Sequence, residues 1–270
     1  MTRLVLNRKL KCIIKDISDI AGFLWQRGWA EKNAGNISVD VSDAIGTVKK
    51  LSRFPRIKIK IPGQRLTGRC YLVTTAGSRM RELRQQPEKY LLLVHIAQNL
   101  DGYHIVWGGE GSKSQPTSEF ISHLKIHAFL REKGSRQTAV IHAHPTHLVA
   151  LTYIKKYNRE KNLNRLLWSM HPEIRIFIPE GVGLSKYRCP GTVGLADSTV
   201  AALENHRLVI WEKHGCIAIG ADVHEAFDLI DIAEKTAGIF LLCKNAGFKT
   251  RGLSARQLKE LARRFRIAKD

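Results

Sequence analysis

Acids are scarce in this chain. Its 270 residues carry 24 Asp and Glu against 44 Lys and Arg, a formal net charge of +20. No acid occurs from Ala44 to Arg81, where Lys49, Lys50, Arg53, Arg56, Lys58, Lys60, Arg65 and Arg69 accumulate. A phosphate or nucleic-acid surface is one reading of such a run. A solvated basic face is the other and is preferred, because the run has no set of interleaved aromatics to stack bases and no nucleic-acid motif. Long apolar runs are also missing: no stretch approaches the roughly 18 residues of a membrane-spanning helix. The N-terminus has neither the continuous apolar core nor the small-residue cleavage site of a signal peptide. The five cysteines, Cys12, Cys70, Cys189, Cys216 and Cys243, are dispersed, with no Cys-x-x-Cys pair. That excludes a disulfide framework and a thiolate zinc site and points to a reducing, cytoplasmic setting. Cys216, in an apolar run, reads as a small core residue. Repeats, low-complexity segments and linkers are absent. With 44% hydrophobic residues, the chain is expected to form one domain over 1–270 with a basic insert around 44–70.

What is present is a mixture of the two hydrophobic periods. Apolar residues at spacings of three and four predict helices over 8–28, from the turn Gln115–Glu119 towards Gly134, over Leu148–Tyr153 and over Leu195–Asn205. Asp222-x-x-Glu225 and Ser254-x-x-Gln257 predict capped helices that follow them. Strands are expected at 37–41, 58–61, 70–75, 91–96, 103–107, within 138–144, and at 174–178, 207–211 and 215–219. Strands adjacent in sequence at 91–107 and 207–219 imply antiparallel pairs. The expected fold is therefore α/β: a single-domain sandwich with a central, largely antiparallel sheet flanked by helices.

The chemistry gathers on Thr138–Leu151, TAVIHAHPTHLVAL. Side chains alternate on a strand, so His142 and His144 share a face and make a ready metal pair. A catalytic zinc site usually has three protein ligands and one open position. The best third candidate is His214, on a short turn between two apolar strands and just before Gly215. His147 falls on the following helix. His123 and His127 stand at i, i+4 on the helix opened by Glu119, but without an HExxH pattern they read as ordinary helix or core histidines. A three-histidine cation is a Lewis acid that still needs a separate base. Glu119, just after a polar turn, is the leading candidate, although a helix-dipole acid would occupy the same position. Glu173, in His171-Pro172-Glu173, reads as a loop acid. Two small-residue turns, Asn33-Ala34-Gly35-Asn36 and Thr75-Ala76-Gly77-Ser78, together with the helix start at Thr117-Ser118, could present N–H groups to a phosphate or could be plain turns.

Read in order, NAGNIS, TTAGS, PTSE, HAHPTHLVAL and WEKHG resemble the class II aldolase/epimerase family over nearly the whole chain. The resemblance implies that His142, His144 and His214 bind one Zn²⁺ per subunit and that Glu119 is the acid/base. It further implies that Glu173 serves a neighbouring subunit's site, and that Asn33, Gly35, Asn36, Gly77, Thr117 and Ser118 hold the phosphate-bearing part of a sugar phosphate. A homotetramer with sites between subunits follows from it, as does a metal-dependent aldol-type reaction. One departure is visible: Ala76 stands where the family pattern has a hydroxyl. The alternative from another class is a non-enzymatic, basic nucleic-acid-binding protein on the same scaffold, which would have no need of three metal ligands and two acids.

Overall fold

The computed structural model describes residues 5–45, 51, 54–109 and 114–267. Its centre is one nine-stranded sheet in the order β2-β5-β4-β3-β1-β6-β9-β8-β7. The strands are β1 Asn36–Asp40, β2 Arg56–Lys58, β3 Cys70–Thr74, β4 Leu91–Ile96, β5 Gly102–Gly108, β6 Ala139–Ala143, β7 Gly183–Ser185, β8 Leu208–Trp211 and β9 Gly215–Gly220. Every pair is antiparallel except β7–β8. The helices are α1 Arg8–Gln26, the short α2 Met80–Leu83 and α3 Pro87–Tyr90, α4 Phe120–Glu132, α5 Thr146–Leu151, α6 Glu160–Met170, α7 Pro172–Phe177, α8 Val193–Leu203, α9 Val223–Asn245 and α10 Ala255–Arg264.

Alternation along the strands sorts the core onto two faces. One face carries Ile37 and Val39 of β1, Cys70 and Leu72 of β3, Ile141 of β6 and Cys216 of β9, and packs under α1, α5, α6, α7 and α9 in a single apolar cluster. The other face lies under α4 and α8 and holds two separate clusters. One joins Tyr71 and Val73 to Phe120 and Leu124; the other joins Val140, Val209 and Ile217 to Ile126 and Leu195. Between them runs the second face of β1, where Asn36, Ser38 and Asp40 are all buried. A sheet face covered by a helix is normally apolar, so this polar seam needs partners.

Periodicity placed most elements. The exceptions have local causes. Of residues 174–178, expected as a strand, 174–177 are helical as part of α7 and Ile178 follows as its C-cap. Pro172 opens the helix, its fixed φ suiting a first turn. Ile174 and Ile178, four apart, are buried while Phe177 is exposed, a helical rather than an alternating pattern. The strand expected at 58–61 is replaced by β2, two residues earlier. Beyond β2, Ile59 and Ile61 donate to the carbonyls of Asp101 and Leu100 without forming a ladder. The helix α6 and the three-residue parallel strand β7 carried no recognised signal. Ser254 and Gln257 form the full capping box. At α9, Asp222 accepts from the Glu225 N–H, but the Glu225 carboxylate accepts from Ala221 N instead of returning to Asp222. Of the basic insert, Lys49, Lys50 and Arg53 lie outside the described residues. Two of its described arginines are spent on folding: Arg56 pairs with Asp101 at 2.9 Å, and Arg69 with the buried Asp40 at 2.7 Å.

Candidate active site

Antiparallel pairing of β6 with β9 puts His142 opposite Ile217 and Ala143 opposite Cys216, so the end of β6 meets the turn that leads into β9. That turn carries His214. Its Lys213 adopts φ +60°, and the Lys213 N–H is held by the buried Thr152 hydroxyl at 2.9 Å. Gly215 is required by proximity. A Cβ there would lie 2.5 Å from Ala143 O, 2.8 Å from His144 Cδ2 and 2.9 Å from His142 Cε1. Its absence lets the three imidazoles converge. Their ligand atoms lie within 4.8 Å of one another. Trp211 forms a floor, with ring centroids 4.6 Å from His142 and 5.0 Å from His214, and is fixed by its indole N–H on Thr199.

The placement of protons shows what this cluster is built for. His142 Nδ1 is 2.9 Å from Cys216 O, a carbonyl that can only accept, so Nδ1 carries the proton. His144 Nδ1 is 2.7 Å from the Glu31 carboxylate and likewise donates. In neutral rings, the state in which imidazole binds a metal, both Nε2 atoms then present lone pairs, and they face each other at 3.1 Å. Two lone pairs at that distance repel unless a cation lies against both. A proton on His142 is disfavoured, because burial and then the neighbouring His144 and His214 hold its pKa well below the ordinary imidazole value. The same two causes, burial first and His144 next, lower that of His214. The Nδ1 of His214 is buried without a hydrogen-bond partner. Neutral imidazoles, two of them oriented by an oxygen on the far nitrogen, are the donor set that suits zinc or a similar divalent ion, so the residues fit such a metal. For Glu31, burial raises the carboxyl, but the His144 hydrogen bond and a backbone hydrogen bond help bring it below its usual range.

Glu119 is 7% exposed, at the N-terminal boundary of α4. Its Oε2 lies 3.7 Å from His142 Nε2 and accepts from Asn36 Nδ2 at 2.8 Å. A bridge between Thr75 and Pro116 draws the two small-residue turns of residues 75–78 and 115–119 together, the Ala76 N–H donating to Gln115 O and the Thr117 N–H to Thr74 O. Ala76, Gly77, Gln115 and Ser118 are the exposed members of these turns, and Gly77, at φ +72°, has open space where a Cβ would stand. Gly35, at φ +78°, backs onto His142 O, and Asn33 is exposed on the same turn. The structure thus gathers His142, His144, His214, Glu119 and Asn36. Glu173 stands apart, exposed in the first turn of α7.

Three contributors escaped the sequence reading. Glu31 lies just before Asn33 in a stretch with no ligand spacing to mark it, and Trp211 ends the expected strand at 207–211 with nothing to mark it as a neighbour of the histidines. Glu234 of α9, 5% exposed, accepts from the N–H groups of His147 and Leu148 at 2.9 and 2.8 Å and so anchors α5 directly behind the two histidines. His147 turns its ring to the same carboxylate and takes no part in the cluster. His123 and His127 are no ligands either: both are buried under α4 and bonded to Ser38. No helix among the described residues is long and apolar enough to cross a membrane.

Comparison with known proteins identifies the family and the fold. The family described as Class II Aldolase and Adducin N-terminal domain matches residues 15–241. The rhamnulose-1-phosphate aldolase of Bacteroides thetaiotaomicron is 36% identical over 260 residues, 95% of each chain. Among solved structures, a sugar-phosphate aldolase from Thermotoga maritima superposes with a TM-score of 0.75 at 32% identity, covering 90% of this chain and 99% of that one. The L-fuculose-1-phosphate aldolase from Thermus thermophilus gives a TM-score of 0.58 at 20% identity, covering 90% and 100%, a likeness of fold alone.

Proposed function

The chain belongs to the Class II Aldolase and Adducin N-terminal domain family, and from that premise we propose that it cleaves L-rhamnulose 1-phosphate to dihydroxyacetone phosphate and L-lactaldehyde in a zinc-dependent retro-aldol reaction. The observation that carries the proposal is the pair of inward lone pairs at 3.1 Å on His142 and His144, completed by His214, with the Glu119 carboxylate 3.7 Å away. The substrate class is taken from the relative that is 36% identical along 95% of its length.

The three histidines would hold the cation through neutral imidazoles. Bound there, it supplies Lewis acidity to a substrate ketone, the part a Schiff-base lysine plays in other aldolases. The remaining work belongs to the chain. Gly77, Ser118 and the turn from Asn33 to Asn36, with Thr117 behind them, would seat the phosphate end on N–H and hydroxyl groups. As an ionised carboxylate Glu119 would take the proton from the C4 hydroxyl, and the C3–C4 bond would break as C4 becomes the aldehyde carbon of L-lactaldehyde. Glu119 would return that proton to C3, where the electron pair is left, to complete dihydroxyacetone phosphate. A carboxylate beside the cluster, held by an amide donor, is placed for that transfer. Glu173 belongs to the reading as an acid offered to a neighbouring subunit of a homotetramer; its exposure on α7 is what such a role requires.

The test is a substrate comparison with the zinc-loaded protein. The expected result is a kcat/KM for L-rhamnulose 1-phosphate at least tenfold above that for L-fuculose 1-phosphate, about 1.4 kcal/mol of discrimination. Preference for the fuculose sugar would reassign the enzyme within its family. Cleavage of neither would remove the aldolase reading.

A further inference from the structure

Two of the three polar side chains of the β1 seam, Asn36 and Ser38, belong to a single hydrogen-bond chain that ends on Glu119, whereas Asp40 is taken up by Arg69 and Ser42. Asn36 donates through Nδ2 to Glu119 Oε2 at 2.8 Å, so its Oδ1 is left to accept, and the atom facing it is His123 Nε2. That nitrogen must carry the His123 proton, which leaves His123 Nδ1 bare. The Ser38 hydroxyl lies 2.7 Å from this bare nitrogen and donates to it. The Ser38 oxygen, 2.8 Å from His127 Nε2, then accepts from that N–H. His127 Nδ1 is consequently bare too, and it is indeed buried with no partner. Four successive donors, on His127, Ser38, His123 and Asn36, all point towards the carboxylate. Every member is at least nine-tenths buried: Asn36 6%, Ser38 1%, His123 0%, His127 1% and Glu119 7% exposed.

We propose that Ser38, His123 and His127 are positioning residues that act through Asn36 to fix the Glu119 carboxylate beside the histidine cluster. The inference rests on the acid/base reading of Glu119 given above. Two physical arguments favour positioning over simple packing. First, apolar side chains fill the flanking positions of the same sheet face, such as Val73 and Val140; a buried polar chain in their place gains little stability over apolar residues of similar shape. Second, the direction is not arbitrary. The His142 lone pair gives Glu119 no hydrogen bond, so the Asn36 amide holds the buried carboxylate, and the amide is oriented only because His123 occupies its oxygen. Chains of aligned donors polarise one another, which strengthens the last bond to the anion.

The experiment pairs Ser38→Ala with histidine nitrogen NMR on the zinc-loaded full chain. Removing the hydroxyl breaks the middle of the chain and touches neither the cluster nor Glu119. The expected result is a kcat for L-rhamnulose 1-phosphate lowered about 10- to 100-fold, the scale of a misplaced catalytic group, with KM and zinc content unchanged. In the native protein without substrate, His123 and His127 should both show a protonated Nε2 and a bare Nδ1. The His123 Nδ1 resonance should shift in Ser38→Ala as it loses its donor. An unchanged kcat in the variant, or a protonated Nδ1 on either native ring, overturns the proposal. If the native zinc-loaded chain cleaves no sugar phosphate, the reaction assigned above fails and the kinetic role with it, whereas the spectra still decide whether the aligned chain exists.

Discussion

Under α1, α5, α6, α7 and α9, the sheet offers one continuous apolar cluster. Under α4 and α8 the corresponding surface is split in two by Asn36, Ser38 and Asp40. The same strand, β1, supplies both surfaces: Ile37 and Val39 go to the first, and the three polar side chains to the second. Full burial of one apolar side chain is worth about 1.5–3 kcal/mol, and a satisfied buried hydrogen bond about 1 kcal/mol net. A strand selected for stability alone would be apolar on both faces. Asp40 pairs with Arg69, but Asn36 and Ser38 lead to Glu119 and the three histidines, so the difference between the faces separates much of what holds the fold from what equips it.

The comparison can be broken most severely at the seam's end. Glu119→Ala should lower kcat about 10²- to 10⁴-fold, the range of a general acid/base, while zinc remains bound by the histidines. Steady-state kinetics with metal analysis reads both; full turnover in the variant would remove Glu119 from the chemistry. On the apolar face, Leu72 is fully buried in the strand next to β1. Leu72→Ala should cost about 2–5 kcal/mol of stability and leave kcat of the folded protein near the native value. Chemical denaturation beside kinetics tests it, and a kcat loss as large as that of Glu119→Ala would erase the distinction between the faces. The seam also sets a pH dependence. Burial pushes His123 down to about 3 and His127 down to about 4, from an ordinary 6.5. The unfolded chain therefore binds protons that the folded one refuses. Stability is complete above about pH 6.5 and falls as the pH drops towards 4, by about 1.4 kcal/mol per pH unit for each ring. His95, lowered to about 4 by burial and then by His104, adds in the same direction. Replacing Ser38, His123 and His127 together by apolar residues should flatten this slope, read from denaturation midpoints between pH 4 and 7.

Much of the site was legible because its signals are local. The alternation of His142 and His144, and the pairing of His214 with a glycine, are short-range consequences of strand geometry and of the room three rings need. The sheet was legible for the same reason, from β3 and β4 to β9. What was not legible depends on contacts between distant segments. Ser38 and His123 are 85 residues apart, and nothing in either neighbourhood announces that the serine proton belongs to that ring. His123 and His127 were read as ordinary helix-surface or core histidines; that they are core, and the direction of their donation, is set only once α4 lies across β1. Glu31 and Glu234 reach the cluster from 113 residues before His144 and 87 after His147. The helix at 172–177 was mistaken for a strand because a stretch as short as Ile174-Arg175-Ile176-Phe177-Ile178 satisfies either period until the burial of each residue is known.

The central claim is that the facing lone pairs of His142 and His144, with His214, hold the cation on which cleavage depends. It is tested most directly by following dihydroxyacetone phosphate release from L-rhamnulose 1-phosphate before chelation, after chelation and after zinc is restored. Turnover should vanish on chelation and return with about one zinc per subunit, the stoichiometry of a single three-histidine site. Turnover that survives in the metal-free protein would contradict the account.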